Sequence, residues 1–537
     1  MAIRFAFTSR RAFVVQALSA VTTLAAVPLI AACGGTAGTS TPQSSTAALA
    51  VTASSAASGT ASSSLGTNSG APTTSAASAL TSTSAPVTTT SSATVSASAT
   101  TTVQSPAAES PVASASAAGV AIKLITVVGV AVTAVPQVKG DFAAFEAQHP
   151  GITVDQIETA GTAGNLYDEK VDTLLASGTP PALWYPAGGR GYRYYAYRNA
   201  LTVLDPYIAR DKFDLSDFFP VAINFCKWNG QYVALPVDLY TQVLLYNQTM
   251  FNNLGVTPPT RDFTDASWTW DKFLSISQQL THSSGQPTAQ YGTTQAWSDS
   301  STLSWVYGGD WFEPEGYVTG LPKQFPYQAD AVTAGMQFKV DCTYKYHVQP
   351  AADEAKALRG TLPTDFHTGR YGMYDVHFFT LKSLGTITSF DWRVAAMPNP
   401  PSLPRRNTVY PGQWASFQKQ QHPDEAWKLL SFMVSPPGMQ AYPVETGVLS
   451  SRRSLAADWK KAVQSQFSKL TDDDLNTIVA AADHDQVSPS HAIVDFAQIS
   501  SQVISPTLTK LAANQITADN ALASMTPAVQ KLLTQTT

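Results

Sequence analysis

The stretch Leu235-Pro236-Val237-Asp238-Leu239-Tyr240-Thr241-Gln242-Val243-Leu244-Leu245-Tyr246-Asn247 decides the predicted fold of this chain. Pro236 ends one predicted unit, and the β-branched and aromatic run that follows residue 240 begins another. Polar and aromatic side chains that can hold a small ligand lie at the join, namely Asp238, Tyr240, Thr241 and Gln242. The stretch therefore predicts an interdomain hinge whose side chains also line a binding cleft.

A regular alternation of strands and helices precedes the hinge stretch. The β-branched residues 120–128, residues 152–157 and residues 182–185 each predict a strand, and helical patterns separate them. This spacing predicts right-handed crossovers and a largely parallel sheet. Ligands bind beyond the carboxyl ends of such strands, so residues 185–197 (YPAGGRGYRYYAY) become candidates for a site. Asn229-Gly230 predicts a hairpin turn that leads into the hinge stretch.

The same alternation resumes beyond the hinge stretch. Thr269 predicts the start of a helix, and the glycine-bearing residues 304–312 predict a turn region. Further strands are predicted at residues 241–246, 291–297, 370–376 and 392–397, and further helices at residues 329–344 and 423–434. Residues 119–537 are long enough for two α/β domains.

Residues 1–33 have the composition of an export signal. Arg10-Arg11 resembles a twin-arginine signal, although an ordinary basic segment remains the alternative. Residues 30–33 (IAAC) resemble a bacterial lipobox, which predicts that Cys33 is lipidated; an incidental Cys in a plain secretory signal is the alternative. Polar residues interrupt the apolar run, so a permanent transmembrane helix is not expected. The predicted location is the outer face of the cytoplasmic membrane, with a lipid anchor as the only membrane contact.

Residues 34–118 predict a disordered tether. They consist mainly of Ser, Thr, Ala, Pro and Gly, with Glu109 as the single charged residue and no aromatic side chain. Such a segment cannot bury enough apolar surface to offset its chain entropy.

Charge and cysteine content exclude several classes of protein. The signal holds three of the 33 basic residues, which leaves 30 against 38 acidic ones and a formal charge of −8, so a nucleic-acid partner is not expected. Apart from Cys33 the chain has only Cys226 and Cys342, too few for a zinc ribbon or a redox motif. The eight His residues show no metal-ligand spacing, and neither a metal nor a cofactor is predicted.

The chain resembles bacterial extracellular solute-binding proteins of family 1, which are the sugar receptors of ABC importers. Maltose-binding protein is a distant relative. The matching segments follow one another through the whole module: residues 142–154 (FAAFEAQHPGITV), 167–184 (YDEKVDTLLASGTPPALW), 232–251 (YVALPVDLYTQVLLYNQTMF), 268–273 (WTWDKF), 364–373 (TDFHTGRYGM), 422–432 (HPDEAWKLLSF) and 446–452 (TGVLSSR).

The resemblance implies an α/β, two-lobe periplasmic-binding-protein-like fold with an interdomain hinge and cleft. Lobe one is expected at residues 119–239 plus 413–440, and lobe two at residues 240–412 plus 441–537. The lobes would close over a carbohydrate, and the closed monomer would dock on ABC importer permease subunits without chemistry on the solute. Cys226 and Cys342 then fall in different lobes, so both are predicted to be free thiols.

A sugar site requires aromatic faces together with groups that bind pairs of hydroxyls. Strand ends and the two crossings between the lobes supply the candidates. The predicted ligand-binding residues are Tyr185, Arg190, Asp238, Tyr240, Thr241, Gly309, Asp310, Trp311, Tyr374, Asp375 and Trp414. The alternative for each is a structural role, in a surface loop, a turn or the core.

Three other functions remain open at this point. A glycoside hydrolase would need two carboxylates across the sugar, for which Asp310, Glu313 and Glu315 are the nearest cluster in the sequence. The sequence contains no G-x-S-x-G, phosphate-loop or H-E-x-x-H motif, so catalysis is not expected. A receptor for a non-sugar solute, or a surface sensor or adhesin, could use the same fold.

Overall fold

The computed structural model describes residues 122–128, 135–158, 165–186, 190–294, 299–377, 381–400, 404–440 and 447–536. All of these residues lie in one compact unit. The predicted export signal, Cys33 and the predicted tether lie outside the described residues. Within these ranges no helix has the length and apolar character that crossing a membrane requires.

The strands in the described ranges are β1 (Ile122–Val128), β2 (Ile152–Glu158), β3 (Leu183–Trp184), β4 (Lys227–Trp228), β5 (Gln231–Tyr232), β6 (Ala234–Asn247), β7 (Tyr291–Thr293), β8 (Tyr371–His377), β9 (Trp392–Ala395), β10 (Asn407–Ala415), β11 (Leu449–Ser450) and β12 (Asp485–Val487).

The helices in the same ranges are α1 (Val135–Gln148), α2 (Asn165–Ala176), α3 (Gly191–Tyr197), α4 (Asp205–Asp211), α5 (Pro220–Phe225), α6 (Gln248–Leu254), α7 (Trp270–Leu280), α8 (Ser301–Trp305), α9 (Pro314–Thr319), α10 (Ala329–Tyr344), α11 (Ala352–Arg359), α12 (Leu381–Leu384), α13 (Pro423–Met433), α14 (Ala456–Gln466), α15 (Asp472–Ala481), α16 (Pro489–Ala492), α17 (Phe496–Ile499), α18 (Ser505–Ala512) and α19 (Ala518–Thr536).

The first half of the module forms the predicted parallel sheet. Strand β1 pairs in parallel with both β2 and β3, so each connection between them carries a helix on the sheet face. Strand β10 then lies antiparallel between β3 and β6. The resulting order, β2-β1-β3-β10-β6, continues through β8 and β7 into the second half of the module. The predicted α/β class is confirmed.

The hinge stretch forms one long strand, which corrects the predicted break at Pro236. Strand β6 pairs along residues 234–241 with β10, and along residues 242–247 with β8 and β9. The register against β10 shifts between Gly412 and Gln413, opposite Pro236. Proline lacks a backbone N–H and is tolerated in a strand at such a bulge. Strand β6 therefore pairs with β10 in its first part and with β8 and β9 in its second part.

Local signals in the sequence explain several of the element ends. Asn229 and Gly230 have φ angles of 49° and 80°, as the predicted hairpin turn between β4 and β5 requires. The Thr269 hydroxyl accepts a hydrogen bond from the Lys272 amide, which caps α7 as predicted. The predicted turn region at residues 304–312 is corrected, because its first two residues belong to α8.

Both described cysteines are free and buried, which agrees with the predicted thiols. Cys226 packs with aromatic side chains around α3, whereas Cys342 packs in a separate cluster with Phe273 and Phe338. The boundaries of the two predicted lobes stay a prediction.

Candidate functional site

Strands β6 and β10, which join the halves of the module, have polar side chains on one side. Successive residues of a strand point to opposite sides. The Gln242 side-chain oxygen accepts hydrogen bonds from the Thr408 amide at 3.0 Å and the Thr408 hydroxyl at 2.9 Å, which places both residues on one side. Alternation along β6 and β10 places further polar residues on that side, and the pairing of β6 with β8 adds two more. We call the set the polar face: Asp238, Tyr240, Gln242, Asp375, His377, Thr408 and Tyr410.

Three aromatic rings stack at the centre of the polar face. The centre of the Tyr410 ring lies 3.9 Å from that of His377 and 4.9 Å from that of His491. The ring planes differ by 13° in both pairs. The Tyr410 hydroxyl donates to the Asp299 carboxylate at 3.0 Å, and His377 bonds the Thr408 hydroxyl at 2.9 Å. These contacts join four separate parts of the chain at one place.

Burial controls the protonation of this stack. It lowers the pKa of His377 and of His491 to about 4, although the nearby Asp299 charge opposes the shift in both cases. Burial, followed by the Asp299 charge, raises the pKa of the Tyr410 hydroxyl. Both imidazoles are therefore neutral at neutral pH, so each can donate one hydrogen bond and accept another.

Asp238 and Tyr185, two predicted ligand contacts, meet each other where β6 and β10 cross. The Tyr185 hydroxyl donates to the Asp238 carboxylate at 3.2 Å, and Asp238 has no exposed surface. Gly412 faces this pair on β10, and a Cβ there would lie 1.9 Å from the Asp238 Oδ1 atom. Only glycine leaves room for this carboxylate.

The predicted contact Asp310 lies in a second polar cluster beside β12. Its carboxylate accepts from the Arg406 guanidinium at 3.0 Å and from the Gln486 amide at 3.3 Å, and the Tyr317 hydroxyl also donates to it. Burial raises the pKa of Asp310, and hydrogen bonds oppose the shift. Glu313 instead accepts from backbone amides at residues 323 and 324. Asp310 and Glu313 thus have separate hydrogen-bond partners.

Two of the predicted aromatic platforms are buried. The Trp311 ring is fully buried and stacks on Phe325, in the core under the C-terminal helices. The Trp414 ring is also fully buried and contacts Phe142 and Tyr185. In this conformation neither ring offers a face to a solute.

Arg190 and Gly309 have local structural contacts. The Arg190 guanidinium bonds the Asp172 carboxylate on α2, while its amide donates to Asp168 at 3.2 Å. A Cβ at Gly309 would lie 2.7 Å from Val332 on α10, so this glycine permits close helix packing.

Thr241 and Tyr374 lie on the side opposite the polar face. The Thr241 hydroxyl donates to the Asp485 carboxylate at 2.7 Å. Tyr374 alternates with Asp375 along β8 and stacks on Phe366, whereas Asp375 accepts from Gln242 at 3.0 Å. Of the predicted contacts, Asp238, Tyr240 and Asp375 thus share the polar face, and Thr241 and Tyr374 do not.

Asp485, which accepts the Thr241 hydrogen bond, lines a cavity of about 740 Å³. Residues on both sides of the hinge stretch in sequence line it, among them Arg193, Asn224, Lys227, Tyr317, Asp485 and Val487. Burial raises the pKa of Asp485 well above its usual range. Among the described residues no group of three potential metal ligands is found.

The sequence interpretation missed the histidine stack and Arg193. His377, Tyr410 and His491 were not among the predicted ligand-binding residues. The alternation Thr408, Tyr410, Gly412 was a usable signal, because it places polar positions on one side of a strand. No local pattern reveals that His491, some 80 residues later, reaches the same strand.

The fold and the shared strands define a two-lobe periplasmic solute-binding protein. The chain belongs to the family of bacterial extracellular solute-binding proteins, whose family model matches residues 132–440. Membership indicates an exported protein, and the proteins of this family bind substrates and are not enzymes.

A curated relative and several solved structures support this assignment. An uncharacterised ABC transporter extracellular-binding protein of Pyrococcus horikoshii is 22% identical over 388 residues, which cover 69% of this chain and 81% of the relative. An ABC substrate-binding protein of Listeria monocytogenes in complex with cycloalternan aligns with a TM-score of 0.59 at 19% identity, over 77% of this chain and 99% of that one.

Two further structures show that the fold accommodates different solutes. Maltose-bound MalE3 of T. maritima aligns with a TM-score of 0.57 at 18% identity, over 77% of this chain and all of that one. UgpB of Mycobacterium tuberculosis in complex with glycerophosphocholine aligns with a TM-score of 0.59 at 17% identity, over 77% of this chain and 98% of that one. At these identities the likeness establishes the fold alone.

Proposed function

We propose that this protein is the receptor of an ABC importer, that it captures a sugar or oligosaccharide by closure of its two lobes, and that it delivers the solute to the permease. The observation that carries the proposal is the polar face on strands β6 and β10. These strands belong to both halves of the sheet, so a solute bound against them contacts both lobes and favours closure.

The chemistry of the polar face suits a carbohydrate. Tyr240 and Tyr410 are partly exposed, while carboxylate and imidazole groups lie beside them at Asp299, Asp375 and His491. Aromatic faces stack on the apolar faces of sugar rings, and carboxylates accept hydrogen bonds from pairs of hydroxyls. Because His377 and His491 already stack on Tyr410, we propose Tyr240 as the aromatic contact. Asp238, Trp311 and Trp414 are then positioning and core residues in the closed form.

The proposal includes the anchor and the arrangement of lobes. Lipidation of Cys33 would hold the protein at the outer face of the cytoplasmic membrane, and residues 34–118 would let the module reach the permease. Lobe one comprises residues 119–239 plus 413–440, and lobe two comprises residues 240–412 plus 441–537. The protein performs no chemistry on its solute.

A thermal-shift screen of the purified protein tests the proposed solute class. We expect at least one mono- or oligosaccharide to raise the melting temperature, because a ligand at 100 times its dissociation constant adds about 2.7 kcal/mol to the stability of the folded state. Glycerophosphodiesters, peptides and polyamines form the comparison arms. Stabilisation by one of these arms and by no saccharide would overturn the proposed solute class while leaving the receptor role in place.

A further inference from the structure

Arg193 connects segments that lie far apart in the sequence. It belongs to α3 in predicted lobe one, and only 3% of its surface is exposed. Its Nη1 atom donates to the carbonyls of Tyr317 at 3.1 Å, Val318 at 3.3 Å and Ala492 at 2.9 Å. All three acceptors belong to predicted lobe two. We call this set of four residues the Arg193 clasp.

The acceptor half of the clasp consists of two helix ends. Tyr317 and Val318 lie in the last turn of α9, and Ala492 is the last residue of α16. Carbonyls in a last helical turn have no amide partner within the helix and carry partial negative charge, so they favour a cation. The Val494 amide donates to the Gly320 carbonyl at 2.9 Å, which ties the two helix ends together. The acceptors are thus held in place independently of Arg193.

The donor half is held by lobe one alone. The Arg193 Nε atom donates to the Tyr192 hydroxyl at 3.2 Å, and the guanidinium lies 5.2 Å from the Phe225 ring centre and 6.0 Å from that of Trp228. Tyr192 in turn donates to the Phe225 carbonyl. These contacts fix the planar guanidinium before it meets lobe two, so little side-chain entropy is lost on contact.

The close approach of the two halves depends on a glycine. At Gly320, where φ is 75°, a Cβ would lie 2.9 Å from the Trp228 ring and 3.0 Å from the Arg193 Nη1 atom. The clasp therefore closes tightly against the α9 end. Arg193, Tyr317 and Val318 also line the 740 Å³ cavity, so the clasp holds together walls that belong to both predicted lobes.

We infer that Arg193 is a positioning residue that holds the closed form together and so sets how long the solute stays bound. The inference rests on the proposed function, because it assumes that the two predicted lobes separate and close around a solute. Opening would break all three bonds to carbonyls while leaving each half of the clasp intact. Arg193 acts through the closed form and does not contact the solute.

The test compares Arg193→Ala, Arg193→Lys and a matched control. Arg198→Ala is that control, because Arg198 follows the same helix but donates at 3.1 Å to the Tyr194 carbonyl within lobe one. With the best saccharide from the screen, we expect the dissociation rate to rise roughly 10- to 100-fold in Arg193→Ala and less in Arg193→Lys, which keeps only the charge. The association rate should stay within roughly twofold of the wild type in all three.

A distance measurement makes the test independent of the solute. Spin labels attached through Glu169→Cys in α2 and Lys356→Cys in α11 would report the separation of the predicted lobes, since both positions are exposed. Cys226 and Cys342 are buried, and burial raises the pKa of both thiols, so they react slowly. We expect Arg193→Ala to lower the population of the short distance, and Arg198→Ala to leave it unchanged.

Each outcome separates the clasp from the proposed function. Failure of every saccharide to bind would refute the carbohydrate proposal, while a loss of the short distance in Arg193→Ala alone would still support the clasp. A simple structural role would lower the yield of folded protein without raising the dissociation rate selectively. Equal dissociation rates and equal distances in Arg193→Ala and Arg198→Ala would overturn the inference, as would a wild type that never shows the short distance.

Discussion

At the scale of single residues, Gly412 and Asp238 show how tightly the crossing of β6 and β10 is packed. The carboxylate of Asp238 occupies the space that a side chain at position 412 would take, and the Tyr185 hydroxyl lies 2.3 Å from the same point. This packing holds Asp238 where it accepts the Tyr185 hydrogen bond. Both strands are thereby fixed at the boundary between the two predicted lobes.

Gly412→Ala should destabilise the folded protein by about 1–3 kcal/mol, because its methyl group would force this buried pair to move. The free energy of unfolding from denaturant titration measures the effect. Gly140→Ala is the matched control: no atom lies within 4 Å of its Cβ position in α1, so this change should stabilise the protein by about 1 kcal/mol. Equal effects of the two substitutions would contradict the packing account.

The buried His377 ring and the half-buried His491 ring predict a loss of stability in acid. Their pKa values are near 4 in the folded protein and about 6.5 when unfolded, so the unfolded chain binds more protons between these values. The stabilising contribution is complete above pH 6.5 and disappears as the pH falls through 4. Each ring should add up to roughly 1.4 kcal/mol per pH unit to the slope in that window.

His491→Phe isolates one ring of the stack. Phenylalanine keeps the face against Tyr410 but cannot titrate, so the dependence of the unfolding free energy on pH between 7 and 5 should become shallower by about 1 kcal/mol per pH unit. Carboxylates that titrate in this range contribute equally to the wild type and to the variant, so the difference between the two slopes reports His491. An identical slope in both proteins would show that His491 is not the half-buried group described here.

At the scale of elements, the alternation along β6 separates residues that sit side by side in the sequence. Tyr240 lies on the polar face, while Thr241 donates to Asp485, which lines the cavity. The sequence interpretation treated both as ligand contacts because both belong to the hinge stretch. Strand alternation alone could have separated them, had the whole of residues 234–247 been recognised as one strand.

Tyr240→Ala should therefore weaken solute binding roughly tenfold, the equivalent of about 1.4 kcal/mol, through loss of a stacking face. Thr241→Val should change the affinity by less than roughly twofold, and should instead lower stability by about 1–3 kcal/mol, because Asp485 loses its donor. Isothermal titration with the identified saccharide, together with denaturant titration, distinguishes the two effects. A reversal of this order would place Thr241 in the solute site.

Local sequence signals predicted individual helices and turns better than they predicted which strands pair with each other. The cap at Thr269, the turn at Asn229-Gly230 and the helix at residues 329–344 were predicted correctly, because their causes lie within a few residues. Strand β10 was not predicted as a strand, since Pro411 and Gly412 interrupt its pattern. The bulge opposite Pro236 depends on this unrecognised partner, and so the predicted break there was wrong.

Which side chains can reach a solute depends on tertiary neighbours that local sequence signals do not reveal. Trp311 and Trp414 look like platforms in the sequence, but whether a ring is exposed depends on elements that arrive much later, such as α19 over Trp311. Asp238 lies in the hinge stretch as predicted, but its contacts with Tyr185 and Gly412 depend on strands that are distant in the sequence. Arg193 lies in a Tyr-rich segment that was selected, yet its partners at residues 317, 318 and 492 are set by tertiary structure alone.

At the scale of the whole molecule, two structural features bear on closure. The shared strands β6 and β10 join the halves of the sheet, and the Arg193 clasp links the predicted lobes at a separate point. The clasp residue Ala492 follows His491, whose ring stacks on Tyr410 of the polar face, while Arg193, Tyr317 and Val318 line the cavity. Solute capture and the retention of the closed form thus involve neighbouring parts of the chain.

The central claim is that a carbohydrate closes two lobes around the polar face. The most direct test is the distance between spin labels at positions 169 and 356 in the wild-type background, measured without solute and with a saturating saccharide that stabilises the protein. We expect the saccharide to move the population toward the shorter distance, and Tyr240→Ala to need a higher saccharide concentration for the same shift. A saccharide that binds without any change in this distance would contradict the claim.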